Sequence, residues 1–353
     1  MKIGILGGGQ LALMLANAAS LLGHQVVIWD PNKKASAKNC GTFINAKFSN
    51  KSALKSFLEK VDIVTWEFEN LPLEIVEKIH KKALLYPAFS LLKIKRDRLT
   101  EKQHFKTLNL PIAPFYPVNN HKDIQIFPVI LKQRLNGYDG KGQFLLKKAT
   151  DLEKIHQLIS PNQFIAEKVI PFDTEVSIIG TRDINGNIIT YDMVENTHCQ
   201  GILHTSTVRL NCPFYTKAKS YLSKLMEHHN YIGTLAIEFF VINNQLIINE
   251  CAPRVHNTGH WTIEGAATSQ FENHIRAITG KSLGQTTTQK YPAMINIIGT
   301  TPTQKTQKKD IYFHDYGKEK QPGRKLGHIT LVPTTYQERD KLIKQYQKSS
   351  FVL

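Results

Sequence analysis

The chain has 353 residues, 41% of them hydrophobic, and a formal net charge of +16. That is enough apolar material for a sizeable core and predicts two or three domains rather than one. The lysines are spread along the whole chain, with no long basic block or interleaved aromatics. The charge therefore points to an anionic small substrate and away from a nucleic-acid binder.

In chain order, "KIGILG" reads as a buried strand and "QLALMLANAASLLG" as an amphipathic helix ending at Gly23. "QVVIWD" is a second strand, "SALKSFLEKV" a helix and "DIVTWEF" a third strand. "PLEIVEKIHKK" is a helix with Pro72 in its first turn, and "ALLYPA" a fourth short strand. This alternation predicts half of a doubly wound parallel sheet. "RDRLTEKQHFKTLNLP" then reads as a helix ending before Pro111. From about residue 126 to 256 the pattern is mostly strands: "IFPVILKQR", "GQFLLKK", "QFIAEKVI", "TEVSIIGTRD", "IITYDMVE", "GTLAIEFFVI" and "QLIINECAP". Helices interrupt it near 151–159 and 214–230, and another follows at 264–279. After an exposed linker, "KSLGQTTTQKYP", come "AMINIIGT", "IYFHDY", "GHITLV" and a last helix. No apolar run reaches membrane-spanning length, and the start lacks the apolar core and cleavage site of a secretory signal. Cys40, Cys199, Cys212 and Cys251 form no C-x-x-C pair, so free thiols in a cytoplasmic protein are expected.

Three stretches carry chemistry. In "ILGGGQLA", Gly7, Gly9 and Ala12 have the spacing of a dinucleotide fingerprint, and Asp30 follows about 20 residues later, where such a fold places its ribose acid. Taken alone, this predicts an NAD-binding oxidoreductase. The nicotinamide-side half is missing, however, because the chain turns to an antiparallel pattern, so the loop is expected to take another phosphate at the helix start near Gln10.

The second stretch, residues 129–146, sets Lys132 in an apolar strand before a loop with Gly137, Gly140 and Gly142. A strand–glycine loop–strand can fold over a polyphosphate, with a lysine pairing the phosphates; an ordinary hairpin with a surface lysine is the alternative. The third, "TLAIEFFVINNQLIINECAPRVHNTGHW", is a hairpin. A three-residue loop would set Glu238 opposite Glu250, and a two-residue loop would set it opposite Asn249. Two acids side by side on apolar strands are costly unless a cation lies between them, and carboxylate oxygens with Asn249 beside them suit Mg²⁺. The competing reading is one exposed acid and one buried Arg254 ion pair.

Lysine, glycine loop and paired acids describe a grasp around MgATP. Together "GYDGKGQ", "EVS", "INECAPRVHNTGHWT", "PGRKLGH" and "GILGGGQLALML" resemble the ATP-grasp family of 5-(carboxyamino)imidazole ribonucleotide synthases of de novo purine biosynthesis, over nearly the whole chain. The match departs at Asn136, where the family usually has glycine, and in a short segment between Arg98 and Lys132. The resemblance implies an α/β ATP-grasp fold: an N-terminal Rossmann-like parallel domain (1–97), an ATP-grasp domain (98–285, lid about 112–172) and a small C-terminal β-rich domain (286–353).

It also implies a reaction. ATP phosphorylates bicarbonate to carboxyphosphate, and the amine of aminoimidazole ribonucleotide is then carboxylated. Arg98 and Lys132 would contact the ATP phosphates, under a lid of Gly137, Tyr138, Asp139, Gly140, Lys141, Gly142 and Gln143. Glu167, Lys168, Val169 and Ile170 would form an adenine-reading hinge, Glu175 would hold the ribose, and His198 would lie against the nucleotide. Glu238 and Glu250 would carry Mg²⁺, or Mn²⁺ in its place, with Asn249 beside them. Arg254, His256 and Asn257 are the catalytic candidates at bicarbonate. Arg324 and Lys325 would hold the ribonucleotide 5′-phosphate, near Gln10 and Leu11. Glu67 or Glu69 would meet the imidazole or its amine. A homodimer is expected from the family. The rival readings are another ATP-grasp carboxylate–amine ligase, the NAD enzyme and a basic nucleic-acid binder.

Overall fold

The computed structural model describes residues 1–135, 137, 142–300, 309–347 and 350. The opening alternation folds into β1 (Lys2–Leu6), α1 (Gln10–Leu21), β2 (Gln25–Trp29), β3 (Thr42–Ile44), α2 (Lys51–Leu58), β4 (Ile63–Trp66), α3 (Leu73–His80) and β5 (Leu84–Leu85). All pairings are parallel, in the order β3-β2-β1-β4-β5. Chain direction across the sheet switches between β1 and β4, so their carboxyl ends open the crevice where such sheets bind ligands. The Gly7–Gly9 loop and Glu67–Glu69 stand there. Pro72 sits at the N-cap of α3, one residue ahead of the expected first turn, because its fixed φ suits the extended entry. β3, with only three residues, carries too little periodicity to be read in advance.

Two helices, α4 (Phe89–Lys95) and α5 (Arg98–Thr107), lead into a small antiparallel sheet. It contains β6 (Phe115–Val118), β7 (Val129–Gln133), β8 (Gln143–Leu146) and β9 (Phe164–Lys168), ordered β6-β9-β7-β8. The helix expected at 151–159 is instead α6 (Ala149–Leu152) and a 3-10 turn, His156–Leu158. Leu152, Ile155 and Ile159 reach the core of this sheet across the break, so a continuous helix is not needed to bury them.

The large sheet is antiparallel. Its strands are β10 (Thr174–Arg182), β11 (Ile188–Thr190), β12 (Val194–Cys199), β13 (Ile202–Val208), β14 (Gly233–Ile242), β15 (Gln245–Ala252), β16 (Ala293–Ile298), β17 (Ile311–Asp315) and β18 (Lys325–Leu331). The order is β15-β14-β10-β12-β13-β16-β18-β17, with β11 on β10, so the C-terminal strands extend the same sheet. "IITYDMVE" is not one strand. It breaks between β11 and β12, where Tyr191 and Met193 both turn into the interior and Tyr191 donates to the Thr268 carbonyl. α7 (Tyr215–His228) covers one face. The helix expected at 264–279 is split into α8 (Thr262–Gly265) and α9 (Gln270–Ile278), because Ser269 caps the second through the Glu272 amide and Ala266 is extended. The linker at 281–292 is only partly exposed, since Thr286 and Thr288 donate to the Thr190 carbonyl and to Asp192. α9 packs against α1 in one core with Leu11, Leu15, Phe271 and Ile275, and α10 (Tyr336–Gln347) closes the chain.

The β14–β15 hairpin settles the register left open by the sequence. Its turn has two residues, Asn243 and Asn244, with φ of +48° and +58°, as a type I′ turn requires. Counting back from Ile242 opposite Gln245 would bring Asn249 to Glu238. A bulge after Phe239 opposite Ile248 absorbs Asn249 instead, and Glu238 faces Glu250. The turn is the shorter alternative, but the pairing is the one expected of the longer. Asn244→Val should lower stability by about 1–2 kcal/mol, because a β-branched residue resists positive φ, whereas Asn244→Gly should cost nothing; urea denaturation of both variants measures it.

Candidate active site

Strand alternation places the site on one face of the large sheet. Ile237, Phe239 and Val241 of β14 point into the core under α7, so Glu238 and Phe240 point away from it. They line a cleft of about 740 Å³ between the large sheet, the small sheet and the N-terminal unit. Gln10, Leu11, Glu67, Glu69, Arg98, Lys132, Gly137, Gln143, Glu175, His198, Asn249, Glu250, Arg254, His256, Asn257 and Lys325 share that lining. The structure thus brings most of the expected residues together. Tyr138, Asp139, Gly140 and Lys141 lie outside the described residues.

Glu250 is held by Lys95 at 2.7 Å and Arg98 at 3.4 Å. Burial would raise its pKa, but the charges of Lys95 and Arg98 outweigh that and hold it well below the usual carboxylate range. Glu238 has no lysine or arginine so close among the described residues. Burial, reinforced by the charge of Glu250, pushes it up to about 7. His256 Nε2 lies 3.6 Å from a Glu238 oxygen. Lys95 also pairs with Glu101 at 3.2 Å, and Glu101 accepts the Cys251 amide, which pins the end of β15. A second chain runs beside the first. Lys132 and Lys102 share the buried Glu167 at 3.0 and 3.3 Å, and Lys102 donates to the Asn249 carbonyl. Burial lowers Lys132 despite that partner. The carboxylate of Glu167 therefore serves these lysines, and the expected hinge continues from it through Lys168–Ile170 at the end of β9.

Glu175 and His198, on adjacent strands, meet at 2.9 Å; burial works against the histidine's charge, but Glu175 outweighs it and raises the pKa. Next to them Phe172 and Phe240 stack, with centroids 4.7 Å apart and planes 16° from parallel. Arg254 pairs with Glu69 at 2.9 Å, and not with an acid of the hairpin as the competing ion-pair reading had it. Trp66 donates to the Pro253 carbonyl and ties that loop to β4. His256 is kept neutral by burial and by Arg254, and its Nδ1 lies 2.9 Å from the Thr258 hydroxyl. Asn257 exchanges amide hydrogen bonds with Asn296 at 2.8 and 3.0 Å.

The opening glycine loop needs a correction. Its amides already have acceptors inside the protein: Gly8 donates to Asp30 at 2.7 Å, and Gly9 and Ala12 donate to Glu67 at 2.7 and 3.3 Å. The positions that looked ready for a phosphate are filled by carboxylates of this chain. Asp30 and Glu67 act as acceptors closing the start of α1, and a Cβ on Gly9 would lie 2.5 Å from a Glu67 oxygen. Arg324 faces an adjoining cavity of about 290 Å³, with Gly9, Asp30, Lys34 and Lys318, while its neighbour Lys325 faces the main cleft.

Lys95, Glu101, Lys102 and the Phe172–Phe240 pair were not foreseen. Lys95 ends α4, a helix too short to show a period. Glu101 and Lys102 read as ordinary surface charges on α5 but are buried. Two carboxylates and the Asn249 side chain form a hard oxygen set, and the raised Glu238 marks a repulsion that a divalent ion between the acids would relieve, so these residues fit Mg²⁺.

The chain matches the models for the ribonucleotide synthetase preATP-grasp domain over residues 1–96, the ATP-grasp domain over 103–271 and the phosphoribosylaminoimidazole carboxylase C-terminal domain over 292–342. It is 41% identical over 339 residues to N5-carboxyaminoimidazole ribonucleotide synthase of Pseudomonas aeruginosa, covering 94% of each chain. The crystal structure of N5-carboxyaminoimidazole ribonucleotide synthetase from Thermus thermophilus superposes with a TM-score of 0.92 at 38% identity, over 99% of both chains. The Staphylococcus aureus N5-carboxyaminoimidazole synthetase complexed with ADP gives a TM-score of 0.91 at 33% identity, over 98% of this chain and 96% of that one.

The raised Glu238 has a measurable consequence. Its carboxyl binds a proton more tightly folded than unfolded, so without ligand the fold loses stability as pH rises from about 4.5 to about 7. Glu238→Gln removes that ionisation. Its melting temperature should match wild type near pH 5 and exceed it by a few degrees at pH 8, in thermal melts without Mg²⁺ or nucleotide.

Proposed function

The chain belongs to the family of N5-carboxyaminoimidazole ribonucleotide synthases, and from that premise we propose which of its residues carry each step. It is an ATP-dependent ligase of purine biosynthesis that carboxylates 5-aminoimidazole ribonucleotide. Bicarbonate is a poor electrophile, and phosphorylation to carboxyphosphate gives it a leaving group. The protein must align the γ-phosphoryl with bicarbonate, neutralise developing charge and keep water from a labile intermediate.

The single observation that carries the assignment is the Glu238–Glu250 pair with the Arg254–Asn257 loop running directly from its second strand. Arg98 and Lys132 border the pair and pair with the ATP phosphates, with Gly137 and Gln143, at the two ends of the expected lid, lining the same cleft. Lys168–Ile170 read adenine through the backbone, beside the stacked Phe172 and Phe240. Glu175 takes the ribose hydroxyls, and His198, whose Nδ1 lies 2.9 Å from its carboxylate, borders the nucleotide. Mg²⁺ held by Glu238, Glu250 and Asn249 would offset the charge on the phosphate oxygens facing it. Arg254, steadied by Glu69, presents a planar fork to bicarbonate and then to carboxyphosphate. Neutral His256 orients bicarbonate or takes the proton the amine loses. Both Glu67 oxygens accept amides, which leaves Glu69 to face the imidazole or its amine. Arg324 and Lys325 hold the 5′-phosphate, with Gln10 and Leu11 beside the ribonucleotide.

The substrates are small molecules: ATP, bicarbonate and aminoimidazole ribonucleotide. No helix among the described residues is long and apolar enough to cross a membrane. The free thiols of Cys40, Cys199, Cys212 and Cys251 support a cytoplasmic setting. The homodimer rests on the family resemblance, and sedimentation tests it.

An ADP-release assay tests the reading. Aminoimidazole ribonucleotide in bicarbonate should stimulate release strongly; no stimulation would favour another ATP-grasp ligase. Glu250→Gln should lower kcat by about 10²-fold or more with the fold retained. Arg324→Ala should raise KM for the ribonucleotide by about tenfold with kcat nearly unchanged, and an effect confined to ATP would contradict its role.

A further inference from the structure

Outside the lining of the cleft, three imidazoles converge. His104 lies in the last turn of α5, His228 ends α7 and His229 caps it. We propose that His104, His228 and His229 bind one divalent late-transition metal ion, for which Zn²⁺ is the probe.

One ring nitrogen of each lies within 4.8 Å of those of the other two. The ring centroids are 4.8 to 5.2 Å apart. His104 Nε2 and His229 Nε2 are already 2.8 Å apart, sharing a hydrogen bond. Two nitrogens at ordinary zinc distance and tetrahedral angle stand about 3.3 Å apart, so a metal needs them to part by about half an ångström. His229 Nδ1 is hydrogen-bonded to Ser90 Oγ at 2.9 Å, which holds the ring with Nε2 turned toward the other two.

The donor set decides the class of ion. Three imidazoles without a carboxylate suit zinc, copper, nickel or cobalt and not Mg²⁺, which takes oxygen. Electrostatics points the same way, because the carbonyl ends of two helices meet here and favour a cation. Burial, with the neighbouring imidazoles, lowers His229 to about 4 and lowers His104, so protons compete little for these nitrogens at neutral pH. Three protein ligands leave a fourth position for water. The ion would tie the end of α5, whose earlier turns carry Arg98, Glu101 and Lys102, to the end of α7.

The test uses the full chain without a purification tag, stripped by a chelator and kept in excess Mg²⁺ to occupy oxygen sites. Zn²⁺ titration by calorimetry should give one equivalent with a Kd of about a micromolar or tighter, and a raised melting temperature. Co²⁺ should give the strong visible absorption of four-coordinate geometry. His228 is exposed, so His228→Gln should fold, melt like wild type without metal and release ADP normally. It should weaken Zn²⁺ binding at least about tenfold. Equal Zn²⁺ affinity in wild type and His228→Gln, or no binding at about 100 µM Zn²⁺, would overturn the site.

Discussion

Glu238 and Glu250 face each other across two neighbouring strands, with the apolar core directly behind them. Like charges so placed repel strongly where little water screens them. The surrounding side chains can be understood as answers to that repulsion. Lys95 and Arg98 neutralise one acid, leaving the other to hold its proton near neutral pH. Lys95 is itself largely buried and pairs with Glu101; Glu101 takes the Cys251 amide and so fixes the strand that carries Glu250. The circuit closes on itself, which is why the short α4–α5 junction matters more than its length suggests.

A parallel circuit of Lys102, Glu167 and Lys132 joins this junction to the small sheet. In both circuits cations suited to phosphate are satisfied by internal carboxylates. Under the proposed ATP assignment, nucleotide binding exchanges the partners of these cations, and the buried charges are never left alone. The same device recurs at the N-terminal loop, where Asp30 and Glu67 occupy amides that an anion could otherwise take.

Legibility in the sequence followed physical range. The parallel half-sheet was readable because buried strands and amphipathic helices repeat over short windows. The ATP-grasp motifs were readable because their glycines and acids have narrow chemical uses. The hairpin register needed more. Leu246, Ile248 and Cys251 all face one core, and the odd step from 248 to 251 is the trace of the bulge in the sequence. Lys95, Glu101 and Lys102 left no such trace, since their burial depends on strands far away in the chain. The helix break at Ala266, which bridges to Thr288, and the strand break between β11 and β12 were set by tertiary contacts that override local preference. The opening loop had the right geometry and the wrong occupant, because the acids that fill it come from the ends of β2 and β4.

The continuous large sheet has a consequence for how the molecule can be cut or joined. Strand β16 covers the edge of β13, and Lys325 sits at the start of β18 in the same sheet as Glu238. The strand that starts at Lys325 and the acid-bearing strands therefore belong to one continuous sheet. A chain ending before β16 would lose more than Lys325. It would bare the backbone of β13 as an open edge, ready to pair with another molecule, and the failure would be aggregation, not a soluble enzyme with weakened binding.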